Sequence, residues 1–408
     1  GFNVFSPRHG YDDLDKVRQV TGWCRKYGIY HMPWMRGSLE AHADAQSAGK
    51  RMLWAIGEQL LWSPNSDEFW EWTAKYIVEY AKLSAEDPTL LGVFLDYENY
   101  APGPRQGNLY GLSYDDVIMG KFAQHKGIEL PALGPTERKP WLEAQGLHEE
   151  FAAFQVAHWR ERCRTLRQAV DQHDPKFVFC IYPAPGTPFM IQACYPEWAT
   201  EQAPLILADP WTYGRPSRFL PQEEALAANR RTLEAGMRVA TEAGINFIYS
   251  GGIDPVVTGA DPEFCGKNAL MISEVTGGYW VFYEGPKYET THPEYFRWFK
   301  WANDAIAAGQ FQRYHEPRQS PEGIAALLTS RVSGHQQQVI AAQVIQYSAA
   351  ALRGDHLLLV ATDPGREVEI VLRNNRLASY ADPLRWELSD QQMKRLDAGA
   401  IAVGESGA

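Results

Sequence analysis

One short apolar run of this chain, Gly92-Val93-Phe94-Leu95-Asp96-Tyr97-Glu98, ends in two carboxylates. Its length and its enrichment in branched and aromatic side chains are typical of a buried strand. Side chains alternate along a strand with a period of two, so Asp96 and Glu98 are predicted to lie on one face. Two acids in such a position suit proton transfer, because each changes the pKa of the other.

Similar apolar runs alternate with helical patterns along most of the chain. Eight of them are predicted strands: Phe2–Ser6, Gly28–Met35, Arg51–Gly57, Leu91–Glu98, Phe177–Pro183, Leu205–Trp211, Ile245–Gly251 and Gly278–Glu284. The main helices predicted between and after them are Asp67–Leu83, with Ser66 as N-cap, and Glu149–Asp171, Gln222–Ala243, Pro262–Val275 and Pro293–Ala308. Strands that alternate with helices pair in parallel. Eight such units predict an α/β fold, a closed (β/α)8 TIM barrel over residues 1–312, with Asp96 and Glu98 at its carboxyl-end mouth.

The pattern changes after about residue 312. Two apolar runs, His356–Ala361 and Glu367–Leu372, flank the turn sequence Thr362-Asp363-Pro364-Gly365, and Val339–Ile345 is a further candidate strand. We therefore predict a small antiparallel β module over residues 313–408, which would form an accessory domain.

The connection that follows Glu98 is unusually long. It extends from Asn99 to about His148 and is rich in proline and glycine. Long loops at the catalytic face of a barrel commonly build or cover the site. Its place directly after the two acids supports a site at this strand end.

Charge and composition argue against several classes of binding partner and of site. The 408 residues carry a formal net charge of −11, which argues against nucleic acids and anionic membranes as partners. The five cysteines lack the C-x-x-C spacing of zinc sites, and no run approaches the roughly 18 apolar residues of a membrane span. No metal and no cofactor is predicted. Because the sequence opens on Gly1, a secreted or periplasmic location is expected if a signal segment has been trimmed.

Carboxylates and aromatic rings collect at the predicted strand ends. The candidate catalytic residues are Glu98, Asp96, Asp209 and Glu284. The candidate substrate-binding residues are Trp34, Arg36, Glu58, Tyr182, Trp211, Tyr213, Tyr249, Asp254, Trp280 and Tyr283. Cleaving a glycosidic bond requires an acid for the leaving oxygen and a second carboxylate that attacks or activates water, while aromatic faces stack on sugar rings. The set therefore predicts a carbohydrate substrate.

Each candidate also has a purely structural interpretation. Asp96 and Glu98 could form salt bridges at a rim, and Asp209, which precedes Pro210, could be a turn residue. Glu58 and Glu284 could cap or pair in the segments that follow them. Trp34 and Trp280 could line the core. The functional interpretation depends on the constellation rather than on any single member.

With these motifs the chain resembles the (β/α)8 glycoside hydrolases. The run Leu91–Glu98 is similar to the fourth strand of several of these families. Likeness to the chitinase-like families implies Glu98 as general acid with Asp96 assisting, although Phe94 stands where those families usually have another Asp. Likeness to the α-galactosidase-like and α-glucosidase-like families implies Asp96 as nucleophile and Asp209 as acid. Likeness to the clan of β-galactosidases and cellulases implies Glu98 as acid/base, with a nucleophile on strand seven that this sequence lacks unless Asp254 or Glu284 substitutes.

The sequence therefore predicts a glycoside hydrolase in which Glu98 is the general acid/base and Asp96 tunes its pKa. One alternative is a glycosidase-like barrel that binds carbohydrate without cleaving it, which would follow if no second carboxylate faces Glu98. Another is a metal-dependent barrel hydrolase, which the scarcity of histidines at strand ends disfavours. The sequence leaves open which sugar and linkage are recognised and how many copies assemble.

Overall fold

In the computed structural model, the described residues are 1–105, 109–214, 222–254, 262–282, 293–317 and 319, together with the C-terminal strands named below. The helices are α1 Leu14–Tyr27, α2 Asp67–Glu86, α3 Asp116–Lys126, α4 Arg138–Ala144, α5 His148–Asp171, α6 Pro188–Ala193, α7 Tyr195–Trp198, α8 Gln222–Glu242, α9 Pro262–Thr276 and α10 Pro293–Ala307. The five helices predicted from the sequence are confirmed, with ends that differ by at most three residues. Of the helices within the described residues, none is both long and apolar enough to cross a membrane.

Local sequence explains several helix ends. Asp13 caps α1 by accepting hydrogen bonds from the amides of Asp15 and Lys16, and α1 ends at Gly28 in the left-handed conformation. Ser66 precedes α2 as predicted, but its side chain makes no capping bond and donates instead to the carbonyl of Ser63.

The strands of the first 282 residues are β1 Val4–Phe5, β2 Tyr30–His31, β3 Trp34–Arg36, β4 Arg51–Trp54, β5 Gly57–Trp62, β6 Gly92–Asp96, β7 Val178–Tyr182, β8 Leu205–Asp209, β9 Phe247–Ile253 and β10 Tyr279–Val281. Six of them form one sheet in the order β10-β9-β8-β7-β6-β3. In this sheet β10 pairs with β9, β3 with β6, β6 with β7, and β7 with β8, all in parallel. A separate parallel pair joins β1 to β2, and His31 of β2 also bridges Leu90, just before β6. A mixed α/β fold with a parallel sheet is thus confirmed.

The third predicted barrel strand was wrong. Arg51–Gly57 was expected to pair in parallel with its neighbours, but β4 and β5 form a separate antiparallel hairpin. In the sheet, β3 pairs directly with β6. The physical reason lies in the two apolar runs Arg51–Trp54 and Gly57–Trp62, which are separated by a two-residue turn, a spacing that favours a hairpin over a strand followed by a helix.

The chain divides into two compact units. The first, here called the N-terminal unit, contains Phe2–Asp209 and Gly236–Tyr249. The second, here called the C-terminal unit, contains Gly1, Pro210–Ala235 and Ser250–Ala408. The predicted boundary between residues 312 and 313 stays a prediction.

Antiparallel strands occur in the C-terminal part of the chain. They are β11 Thr329–Val332, β12 Gln336–Val339, β13 Tyr347–Arg353, β14 His356–Ala361, β15 Glu367–Arg373 and β16 Arg385–Trp386. β11 pairs with β12, and β13 to β16 form a second sheet in chain order. Of the predicted strand Val339–Ile345, only Val339 belongs to the described residues. That these strands form an accessory domain stays a prediction.

Candidate functional site

Asp96 ends β6, a strand of the N-terminal unit whose five residues are all buried. Its side chain is only 4% exposed, yet it is well supplied with donors. Arg36 Nη1 donates to Asp96 Oδ2 at 3.0 Å, and the amide of Glu98 donates to Asp96 Oδ1 at 2.9 Å. The guanidinium comes from β3, which is the direct neighbour of β6 and is paired so that Arg36 lies level with Asp96. The register of two strands therefore places the ion pair.

Burial is the dominant influence on the charge of Asp96. It raises the pKa of this carboxyl from 3.8 to about 7, against the opposing effects of Arg36 and of the Glu98 amide. The negative charge of Glu98 raises the pKa further, and Arg8 lowers it. Asp96 is therefore a group that can exchange its proton near neutral pH.

Glu98 lies two residues beyond Asp96 and is held by its backbone. Arg36 Nη1, the nitrogen that binds Asp96, also donates to the carbonyl oxygen of Glu98 at 2.7 Å. Within the described residues, the Glu98 carboxylate has no hydrogen-bond or ion-pair partner, and the residue is partly exposed. A fixed backbone thus presents a carboxylate whose binding capacity is unused by the described residues.

Aromatic side chains share the face of the sheet that carries Asp96. In parallel strands, residues in register point to the same side. Arg36, Asp96 and Tyr182 are in register across β3, β6 and β7, and Trp34 and Phe94 form the row below them. The rings of Phe94 and Tyr182 lie 5.9 Å apart. The Trp34 ring has the guanidinium of Arg36 at 5.1 Å and that of Arg8 at 5.8 Å. This face combines a carboxylate, two guanidinium groups and apolar ring surfaces.

Asp209 lies on the opposite face of the same sheet. In the pairing of β7 with β8, Cys180 lies opposite Ile206 and Ile181 opposite Leu207. Continuing this register places Tyr182 level with Ala208. Asp209 is the next residue, so its side chain points to the other face of the sheet. Its carboxylate is completely buried and accepts a hydrogen bond of 2.5 Å from the Tyr249 hydroxyl.

The close approach of α8 to Asp209 and Tyr249 supports this orientation of the Asp209 side chain. A Cβ built on Gly236 of α8 would lie 2.0 Å from the Tyr249 hydroxyl oxygen and 3.4 Å from Asp209 Oδ2. Both polar groups therefore point at the helix layer. The structure does not bring Asp209 or Tyr249 together with Asp96 and Glu98, although both were predicted to belong to one site. Burial and the Asp209 carboxylate raise the pKa of Tyr249, so the phenol stays a donor.

Four of the predicted site residues that the structure describes belong to the C-terminal unit. Tyr213 and Trp280 contact each other edge to face, with ring centres 5.5 Å apart. Asp254 follows β9 and is buried, whereas Trp211 is 55% exposed.

The remaining predictions fall elsewhere. Glu58 lies on β5 of the hairpin, where it pairs with Arg51 Nε at 2.7 Å. Tyr283 and Glu284 lie outside the described residues. Among the residues that are described, no group of three or more His, Cys, Asp or Glu side chains is arranged to hold a metal ion.

Sequence reasoning missed Gln59. This buried residue of β5 donates to the side chain of Asn99, the residue that follows Glu98. The strand predicted for Arg51–Gly57 ends before Gln59, which hid the role of this residue in a second strand. The sequence signal for it is a polar residue within the second of two apolar runs that are spaced as in a hairpin.

No protein-family model and no curated protein sequence matches the chain. Solved structures with partial similarity include the β-galactosidase of Bacillus circulans sp. alkalophilus, with 13% identity, a TM-score of 0.46, and coverage of 75% of this chain and 51% of that one. The β-galactosidase of Marinomonas ef1 has 8% identity and a TM-score of 0.44, with coverage of 79% and 58%. The α-L-fucosidase isoenzyme 2 of Paenibacillus thiaminolyticus has 11% identity and a TM-score of 0.43, with coverage of 73% of this chain and 40% of that one.

The chain thus spans between 40% and 58% of the length of these three structures. With TM-scores below 0.5, these similarities identify neither a family nor an activity.

Proposed function

We propose that this protein is a glycoside hydrolase whose chemistry takes place at the carboxyl end of β6, with Glu98 as general acid/base. One observation carries the proposal: the Glu98 carboxylate has no partner in the described part of the chain, while Arg36 fixes its backbone beside Asp96. A group that transfers a proton to a leaving oxygen must be free to approach that oxygen and must be held in place.

Asp96 serves the reaction through its charge. With the pKa of Asp96 near 7, this carboxyl is largely neutral in mildly acidic solution and becomes charged above neutral pH. Ionisation of Asp96 therefore places a negative charge two residues from the Glu98 carboxylate only above neutral pH. The Arg36 guanidinium opposes the effect of burial on the pKa of Asp96.

The aromatic residues on the same face support a carbohydrate substrate. Trp34 is partly exposed and lies one row below Arg36, with Phe94 beside it, and the Tyr182 ring is next to that of Phe94. Apolar ring faces stack on the C–H faces of sugars, while guanidinium groups donate to hydroxyl oxygens. We include in the proposal a closed (β/α)8 barrel as the scaffold, and cleavage of a poly- or oligosaccharide as the reaction.

A second candidate function is carbohydrate binding without cleavage. It is favoured by the orientation of Asp209, because the carboxylate expected two strands away from Asp96 faces α8 instead. Hydrolysis needs a second carboxylate that attacks the sugar or activates water. In this alternative, Glu98 and Arg36 would only bind sugar hydroxyls.

Turnover separates the two candidates. Purified protein is incubated with a panel of aryl glycosides and polysaccharides, and the anomeric form of any product is read by NMR. We expect turnover by the wild type, and a loss of about 100-fold or more in kcat for Glu98→Gln with binding largely retained. The control is Glu161→Gln, which removes an exposed carboxylate that pairs with Arg164 on α5.

Three outcomes are informative. Equal turnover by wild type and Glu98→Gln would remove Glu98 from the chemistry. Sugar binding without any turnover would establish the second candidate function. If turnover proceeds with retention, covalent labelling with a fluorinated sugar and peptide mapping identifies the nucleophile, for which Asp96, Asp254 and Glu284 are to be inspected.

A further inference from the structure

The buried side-chain amide of Gln59 joins the hairpin β4–β5 to the chain segment directly after Glu98. Gln59 Nε2 donates to Asn99 Oδ1 at 2.9 Å and to the carbonyl of Ala101 at 2.8 Å. Gln59 Oε1 accepts from Trp54 Nε1 at 2.9 Å. Gln59 itself is completely buried. One side chain therefore connects both strands of the hairpin with the start of the long loop.

Backbone packing brings the two segments into close contact at the same place. The amide of Leu60 donates to the carbonyl of Pro102 at 2.9 Å. Gly103 has a φ of +145°, and a Cβ built on it would lie 2.7 Å from the Gln59 Cα. Only glycine fits there, both for its backbone conformation and for the space available. The loop is thus seated on β5 rather than merely near it.

The amide of Gln59 has two N–H donors and one carbonyl acceptor, and each of these has a partner. A buried polar group whose hydrogen bonds are all satisfied favours one arrangement over alternatives, because any shift leaves groups unpaired away from water. The arrangement that Gln59 favours is the one in which the loop begins with Asn99 against β5.

Glu98 is held on its other side by a different element. Arg36 of β3 binds its carbonyl oxygen, and the Glu98 amide is used by Asp96. Gln59 binds the residue that follows. The backbone of Glu98 is therefore fixed at both ends, although its carboxylate has no partner within the described residues.

We propose that Gln59 is a positioning residue for Glu98: through Asn99 it sets where the Glu98 carboxylate stands relative to Asp96 and to the substrate. This inference rests on the proposed role of Glu98. Gln59 acts through the backbone and does not touch the substrate. The hairpin that replaces the expected third strand is, on this account, the support of the catalytic loop.

The test compares Gln59→Leu with Gln155→Leu. Gln155 is an equally buried glutamine that binds the same loop at a distant point, exchanging two hydrogen bonds of 2.8 Å with the backbone of Ser113. For Gln59→Leu we expect a loss of about 10- to 100-fold in kcat, with a smaller change in KM. We also expect a shift in the pH profile of kcat, because the distance between Glu98 and Asp96 changes. Gln155→Leu should lower Tm but leave the pH profile unmoved.

A readout independent of activity accompanies the kinetics. Hydrogen exchange of the peptide spanning residues 97–105 should increase in Gln59→Leu and stay at the wild-type level in Gln155→Leu. If Gln59→Leu does not fold, Asn99→Ala removes the acceptor of the Gln59 hydrogen bond and should shift the profile in the same direction.

The outcomes separate the two proposals. A wild type without turnover would refute the hydrolase, and the exchange data would then decide the role of Gln59 alone. Equal exchange in wild type and Gln59→Leu would overturn the positioning role. So would equal kinetic losses in Gln59→Leu and Gln155→Leu with an unmoved pH profile.

Discussion

Asp96 and Asp209 lie on opposite faces of one parallel sheet. Asp96 is in register with Tyr182, and Tyr182 is level with Ala208, so Asp209 points the other way. The first carboxylate is paired with Arg36, and the second is bound by Tyr249 beneath α8. Two acids that both end a strand thus have different partners, because their positions are shifted by one residue relative to the register of the sheet.

Removing the Tyr249 hydroxyl should affect stability and not catalysis. Tyr249→Phe takes a donor from the fully buried Asp209 carboxylate, so we expect the free energy of unfolding to fall by about 1–3 kcal/mol. Urea denaturation measures the change, and kcat and its pH profile should equal those of the wild type. A variant with normal stability and lost turnover would return Tyr249 and Asp209 to the active site.

The same pair can be probed from α8. Gly236→Ala introduces a Cβ only 2.0 Å from the Tyr249 hydroxyl oxygen, which should cost about 1–3 kcal/mol. In the double variant with Tyr249→Phe the total loss should be smaller than the sum of the two single losses, because the oxygen at 2.0 Å is gone and only Tyr249 Cζ stays close, at 2.7 Å. Gly120→Ala is the control, since no atom of the described residues lies within 4 Å of its added Cβ. Strict additivity would contradict the geometry.

Arg36→Met should destabilise the protein in a pH-dependent way. The guanidinium lowers the pKa of Asp96, so its loss should raise that pKa above its present value of about 7. The ion pair stabilises the fold only when Asp96 is ionised, hence only at pH values above its pKa. We expect a loss of about 1–3 kcal/mol at pH 8.5 and a smaller loss at pH 5.

Denaturation at the two pH values measures this difference. Arg18→Met, which breaks an exposed pair with Asp15, is the control and should change little at either pH. A larger loss for Arg36→Met at pH 5 than at pH 8.5 would contradict the ion-pair assignment.

His31 should make the fold weaker in acid. Its Nδ1 lies 2.8 Å from Thr21 Oγ1, whose hydroxyl already donates to the carbonyl of Val17, so Nδ1 carries the proton in the neutral ring. The other ring nitrogen, Nε2, is buried and has no hydrogen-bond partner in the part of the chain that the structure describes. Burial lowers the pKa of His31 from 6.5 to about 4. Between these values the unfolded chain binds the proton first, so stability falls as the pH drops from about 6.5 to 4.

The variant His31→Asn removes this titration while its amide can still donate to Thr21. From pH 7 to pH 4.5 it should lose less stability than the wild type, by about 2 kcal/mol. The exposed His173→Asn serves as control. Parallel stability curves for wild type and His31→Asn would show that His31 is not the group responsible.

The local sequence pattern predicted the helices and strands whose apolar periodicity lies within one continuous segment. The helix Asp67–Glu86 follows from its apolar stripe, and β6 follows from its unbroken apolar run. Asp96 and Glu98 were found because both sit at the end of that run. The hairpin was missed, since Arg51–Trp54 has the same local composition as a parallel strand and only pairing distinguishes the two.

Sequence alone determined the α/β class, the helices and the strand that ends in Asp96 and Glu98, because propensity and periodicity act over a few neighbouring residues. Tertiary structure decided which acids share a face, since the phase of Asp209 depends on the register of β8 against β7. It also decided that Arg36 binds Asp96 and that Gln59 supports Asn99, contacts between residues 60 and 40 positions apart. Such pairings arise only when distant segments pack, and no local pattern encodes them.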